Sequence, residues 1–322
     1  MVASAQRGSI FRAVVDRPRR QKRYGRKYGM NNLLRVGWLA GLAACVFCSI
    51  AAHATSINAT HHQAYGANIG WLNARGDVAN GAKIGLYFST GYVWSANTGW
   101  ISLGSGTPTN GYSYANNSAT DWGVNLIMPG GYLRGMAYGA NIGWINFETN
   151  GNARVDLTTG KLDGYAYGAN VGWISLSNAL AHVQTDFLDW GPDTDGDGLP
   201  DAYEFARTGN LTNLTAGGDA DADGSGNRDE FLADTDPLDG GSLLEVTALN
   251  RALTTNAVTW TVEPTRTYRL EQAAAATNGA VWSDSGLGVL PPGAGPTLTG
   301  LVPDPAATTR FYRAKALVPL AP

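Results

Sequence analysis

The sequence predicts a mainly β protein: an aromatic β-hairpin repeat domain, a short loop-and-helix connector, and a small C-terminal β-sandwich. Three observations point there. Glycine supplies 42 of 322 residues and charged residues only 15%, which disfavours helical bundles because glycine is a poor helix former. Ten tryptophans and 14 tyrosines argue against disorder, which is poor in aromatics. One seven-residue phrase recurs four times, the mark of a repeat architecture.

Residues 1–54 read as a signal peptide. Basic residues from Arg17 to Lys27, and Arg35, precede an apolar run from Val36 to Ala52. Ala52-His53-Ala54 then offers a small–x–small cleavage pattern, so the mature chain is expected to start near Thr55. Met30 is an alternative start that leaves a signal of more ordinary length. Both cysteines, Cys45 and Cys48, fall inside this segment. Leu42-Ala43-Ala44-Cys45 also resembles a lipoprotein box. The expected location is therefore secreted, extracellular or on the cell surface. Membrane contact would come only through an uncleaved or lipidated signal. A mature chain without cysteine takes its rigidity from packing or from metal.

Residues 55–185 form the repeat domain. The phrase appears at Tyr65–Trp71, Trp94–Trp100, Tyr138–Trp144 and Tyr167–Trp173, with closing tryptophans 29, 44 and 29 residues apart. Asn and Gly before each tryptophan favour a hairpin turn with positive φ, at Gly143 and Gly172 for example. After each turn the sequence alternates. Ile101/Leu103, Ile145/Phe147 and Ile174/Leu176 share an aliphatic face, and Trp100, Trp144 and Trp173 share the other. A unit of 29 residues cannot bury its own apolar face, so units should stack or close on each other. The aromatic row is read first as packing between units, and alternatively as a platform for stacking sugars. Carboxylates do not recur at matching positions, and no nucleophile or zinc spacing appears, so no enzyme is expected; an unrecognised hydrolase is the remote third reading.

Residues 186–241 form the connector. Residues 186–239 hold 15 acidic and two basic side chains, a net charge of −13, against −12 for all of 55–322. The rest of the mature chain is thus near neutral. Without a basic face, nucleic acid is not an expected partner. The acids are ordered. Asp193, Asp195, Asp197, Asp201 and Glu204 occupy positions 1, 3, 5, 9 and 12 of a loop with Gly198 at position 6. Asp219, Asp221, Asp223, Asn227 and Glu230 repeat that spacing around Gly224. Ca²⁺ takes six to eight oxygens, and this is the spacing that supplies them. Position 7, Leu199 or Ser225, would add a main-chain carbonyl. Asp201 and Asn227 would act directly or through water, and Glu204 and Glu230 would close the shell with two oxygens each. Short helices are expected near 201–207 and 228–233, with no helix entering either loop.

Asp193–Asp239, with its Asp-x-Asp-x-Asp-Gly loops and closing Glu-Phe-Leu-Ala-Asp-Thr-Asp-Pro, resembles the bacterial thrombospondin type 3-like calcium repeats, relatives of dockerin loops. The Tyr-Gly-Ala-Asn-Ile-Gly-Trp-Ile units are similar to repeats of secreted bacterial proteins that carry such a segment. The resemblance covers about Thr60 to Asp239 and implies export and calcium binding. Ala222 departs from it at position 4, where glycine is usual, as does the Ser225-Gly226 pair.

Residues 242–322 carry short apolar alternations (243–246, 258–262, 268–270, 298–301 and 311–314) separated by turn clusters. They suggest a β-sandwich similar to fibronectin type III modules. Arg266, Arg269, Arg310 and Arg313 are expected on its solvated surface. The whole reads as a calcium-binding structural or adhesive protein of the bacterial surface, with cell-surface glycans or envelope proteins as partners. The rival reading is a carbohydrate-binding module or an accessory of polysaccharide degradation.

Overall fold

Each recurring phrase folds into a hairpin because Asn and Gly make a tight reversal cheap between two aromatic-rich runs. In the computed structural model, which describes residues 55–322 apart from 78, 253, 278 and 305–308, these hairpins are the frame of the molecule. The export segment, with Met30, Cys45 and Cys48, lies outside the described residues. The strands are β1 (Ile57–Gly66), β2 (Gly70–Asn73), β3 (Tyr92–Ser95), β4 (Gly99–Ser102), β5 (Val124–Ile127), β6 (Tyr132–Gly139) and β7 (Gly143–Asn146). They continue with β8 (Arg154–Val155), β9 (Leu162–Asp163), β10 (Tyr165–Gly168), β11 (Gly172–Ser175) and β12 (Val183–Thr185).

Hairpins β1–β2, β3–β4, β6–β7 and β10–β11 join side by side, antiparallel throughout. Asn73 pairs with Trp94, Ser102 with Tyr138, Asn146 with Tyr167, and Ser175 with Tyr65. The last pairing brings β11 back to β1, so eight strands close into a barrel and leave no edge among them. The remaining strands extend the wall, β5 and β8 on β6, β9 on β8, and β12 on β1.

Alternation decides what fills the barrel. Inward positions carry a small residue opposite a large one: Ala64 opposite Leu72, Val93 opposite Ile101, Ala137 opposite Ile145, and Ala166 opposite Ile174. Small-against-large packing fits side chains into a narrow barrel. It leaves an apolar void of about 60 Å³. The aliphatic face is thus the core, as the alternation predicts. Buried Ile69, Thr98, Ile142 and Val171 close one end.

That end is tied by a cycle of side-chain bonds. The Nδ2 of Asn97, Asn141, Asn170 and Asn68 donates to the carbonyl of Ile69, Thr98, Ile142 and Val171, each on the preceding hairpin, at 3.0–3.1 Å. The asparagines therefore do more than favour turns: they stitch hairpin to hairpin around the ring. The expected positive φ is present, 76° at Gly143 and 75° at Gly172. Gly143→Val is expected to destabilise the barrel by about 1–3 kcal/mol, since a β-branched residue strains that backbone. Urea unfolding decides it; a shift inside about 0.5 kcal/mol would show that the turn tolerates the side chain.

The tryptophan face does not lie between packed units. Each hairpin stacks its own aromatic pair on the barrel's outer wall. Ring centroids are 4.9 Å apart for Tyr65–Trp71, 4.6 Å for Trp94–Trp100, 4.8 Å for Tyr138–Trp144 and 4.9 Å for Tyr167–Trp173, with planes inclined 55–61°. Trp71, Trp100, Trp144 and Trp173 stay 44–47% exposed. The first reading of the row, as packing between units, is corrected here: the aliphatic face closes the barrel and the aromatics stay half-exposed, with Trp122 reaching across from the segment before β5 to pack against Trp144 at 5.1 Å and Tyr138 at 6.0 Å.

The connector contributes two short helices, α1 (Asp201–Thr208) and α2 (Asn227–Ala233), close to the expected spans. The tail contributes β13 (Val246–Arg251), β14 (Thr255–Thr261), β15 (Thr267–Ala273), β16 (Ser283–Leu290), β17 (Thr297–Pro303) and β18 (Phe311–Leu317). They form two three-stranded antiparallel sheets, β13-β14-β17 and β16-β15-β18, with Trp260, Tyr268 and Leu270 buried in a shared core. Connector and barrel are not loosely strung. Leu199, Tyr203, Leu214 and Phe231 belong to the same continuous core as the barrel aliphatics, and Val318 of the tail joins them. Among the described residues no helix is long and apolar enough to cross a membrane.

Arg266 is a second correction. It is 3% exposed, not solvated. Its Nε and Nη2 donate to the carbonyls of Leu232 and Phe231, both at 2.9 Å, and Nη1 lies 3.7 Å from Asp234. The last turn of α2 exposes unpaired carbonyls, and a guanidinium satisfies two at once.

Candidate metal centre

Two loops lead into α1 and α2. In each, the carboxylate oxygens of positions 1, 3 and 5 converge: one oxygen each from Asp193, Asp195 and Asp197 lie within 4.8 Å of one another, as do those from Asp219, Asp221 and Asp223. The bend at position 6 needs positive φ, 100° at Gly198 and 102° at Gly224. Loop amides organise the acids. Asp193 accepts from the N–H of Gly196 at 2.8 Å and of Gly198 at 2.9 Å, and Asp219 accepts from Gly224 at 3.2 Å. Asp197 and Asp223 accept from the amides of Leu199 and Ser225, the position-7 residues, at 2.8 and 2.6 Å. Leu199 buries its side chain completely, which pins the first loop to the core.

Position 9 behaves differently from a direct ligand. Asp201 receives the amide and hydroxyl of Thr194, at 2.7 and 2.5 Å. Asn227 receives the amide of Ala220 at 3.1 Å and donates to Thr215 at 2.8 Å. Both therefore latch the loop by accepting the amide of position 2, and only the second bond differs between Asp and Asn.

Position 12 carries the decisive feature. Glu204 and Glu230 are fully buried, and neither oxygen of either carboxylate has a hydrogen-bond partner. A buried carboxylate left alone costs several kcal/mol. Burial, then Asp195, Asp197, Asp201 and Asp193, push the Glu204 carboxyl up to about 7. Burial, then Asp221, Asp223, Asp219 and Asp236, push Glu230 up to about 8. Each glutamate thus faces its own aspartate cluster and lacks a counter-charge. A hard divalent cation would supply it, and an oxygen-only donor set fits Ca²⁺.

The loops also brace each other. Ala216 donates its N–H to Asp197 at 2.7 Å, and the Arg228 guanidinium donates to the carbonyl of Gly198. Ala222, the departure at position 4, takes φ 63°, the same region as Gly196 at 73°. An alanine there costs about 1 kcal/mol. Ala222→Gly is therefore expected to stabilise the second loop by about that amount, read as tighter calcium binding at that site alone. Weaker binding would mean that glycine's extra freedom in the unfolded chain outweighs the relief. Comparison with protein-family models, curated proteins and solved structures finds no match for the chain.

Proposed function

We propose that the chain is an exported, non-enzymatic calcium-binding protein with a structural or adhesive role at the bacterial surface. The observation that carries the reading is the pair of buried, unpartnered glutamates, each closing a loop of three convergent aspartates. Asp193, Asp195, Asp197, Glu204 and the Leu199 carbonyl would hold one ion. Asp219, Asp221, Asp223, Glu230 and the Ser225 carbonyl would hold the other. Asp201 and Asn227 serve as latches. The likeness to thrombospondin type 3-like repeats, and of the tail to fibronectin type III modules, agrees with this use of calcium as a stiffener between β units. Export and surface location rest on the N-terminal sequence alone.

Calorimetric titration of the whole exported chain tests the reading. Two ions are expected, with affinities of roughly 10⁻⁴ to 10⁻³ M, the range of extracellular modules. No binding heat at about 10 mM Ca²⁺, ten times the weak end of that range, sinks it. A second reading, carbohydrate binding by the barrel, is favoured by one observation, the half-exposed tryptophans on its wall.

A further inference from the structure

We propose that the outer wall of the barrel is a belt of four related subsites for an uncharged polysaccharide, one on each hairpin. The inference deepens the carbohydrate-binding reading and rests on it.

The subsite repeats one plan, an aromatic pair on the outer wall, with flanking rings that differ from hairpin to hairpin. A tryptophan meets its hairpin partner at 55–61° and stays half-exposed, while a further ring, Tyr92, Trp122 or Tyr165, lies beside Trp100, Trp144 or Trp173. Strand register then places a polar residue beside the pair, from the neighbouring hairpin. Tyr138 sits opposite Ser102, Tyr65 opposite Ser175, and Tyr167 opposite Asn146. Ser102 and Ser175 already donate their hydroxyls to the carbonyls of Gly104 and Ser177, and the Asn146 oxygen accepts the Glu148 amide. What a sugar resting its C–H face on the ring would meet is therefore the remaining serine lone pairs and the Asn146 amide donor.

Charge selects the class of ligand. The eight strands of the closed ring carry one formally charged side chain besides their two histidines, Arg134. Its guanidinium is held by the carbonyls of Leu133 and Ala153 and lies over Tyr132. A neutral belt gives no hold on anionic polymers. It also lacks the basic flank that draws an aromatic surface to lipid headgroups. Fourfold repetition adds the last constraint. Four like sites on one closed frame suit a ligand that repeats itself, because linked weak contacts multiply.

The test uses the whole exported chain with calcium present. Retention is measured on insoluble cellulose, chitin and β-1,3-glucan, with phosphatidylcholine vesicles in parallel. Retention on at least one polysaccharide is expected, and none on vesicles. Trp144→Ala should weaken it about threefold to tenfold, and alanine at all four closing tryptophans by about 100-fold or more. Because the fourfold variant can lose its fold, the wild-type chain provides an independent readout. Soluble oligosaccharide of the retained type should reduce acrylamide quenching of tryptophan fluorescence. Retention on no polysaccharide, or on vesicles alone, overturns both the inference and the carbohydrate reading. Retention that survives Trp144→Ala unchanged, with quenching also unchanged, overturns the belt but leaves the reading standing.

Discussion

Calcium at 10 mM is expected to stabilise the connector by about 3–5 kcal/mol, from two sites of roughly 10⁻⁴ to 10⁻³ M acting by mass action on the folded form. The sharper result lies in the sign of a double substitution. Glu204→Gln with Glu230→Gln should destabilise the chain in calcium, because each ion loses its closing ligand. Without calcium the same variant should be more stable than wild type at pH 8, because two buried carboxylates with no partner are gone. The pH dependence follows from the same groups. Glu204 and Glu230 are raised from 4.5 to about 7 and about 8. Between pH 4.5 and those values the folded state holds more protons than the unfolded state, so calcium-free stability falls as pH rises through that window. Chelated wild type should therefore melt higher at pH 5.5 than at pH 8, and the Gln variant should lose that slope. Calcium needs the ionised carboxylates, so its affinity should drop as pH falls below about 8. A chelated protein that gains stability with rising pH across this range would show that the glutamates are not isolated in the fold.

Much of this was legible from spacing, because the interactions concerned are local. The acid pattern, the glutamate at position 12, the glycine bend and the helices after it all fall within a dozen residues. The hairpin turns and their positive-φ glycines are local too. Non-local register was not legible. Alternation told which face of β4, β7 and β11 is aliphatic, but not that eight strands would close, since closure depends on β11 returning to β1 across more than 100 residues. The asparagine cycle was hidden for the same reason: each side chain bonds a carbonyl of a different hairpin. β16 was missed because Ser283-Asp284-Ser285-Gly286 reads as a turn, and Gly286 and Gly288 do hold positive φ within the strand. Arg266 was misread because a charge near a strand edge is ordinarily solvated, and only the packed fold brings the end of α2 to it.

Replacing Arg266 should therefore cost far more than a surface arginine would. Arg266→Leu removes two hydrogen bonds to the last turn of α2 and one counter-charge of Asp234. Two main-chain carbonyls near the end of the helix lose their donor at a buried site. Each unsatisfied group costs about 1–3 kcal/mol, so a total of about 3–4 kcal/mol is expected. Arg207 still reaches Asp234 at 3.5 Å, which limits the electrostatic share of the loss. Arg266→Lys should rescue little, because a lysine is a point donor and cannot fork to two carbonyls. The effect should also reach the metal site. Glu230 and Phe231 are neighbours on α2, so loosening the carbonyl end of that helix loosens the closing ligand of the second loop. Calcium titration of Arg266→Leu should show the second site weakened several-fold, on the order of 1 kcal/mol, and the first site close to wild type. Equal loss at both sites would mean that the substitution acts by general unfolding. A change in stability within about 1 kcal/mol, with both sites intact, would show that the tail's hold on α2 contributes little to the proposed calcium sites.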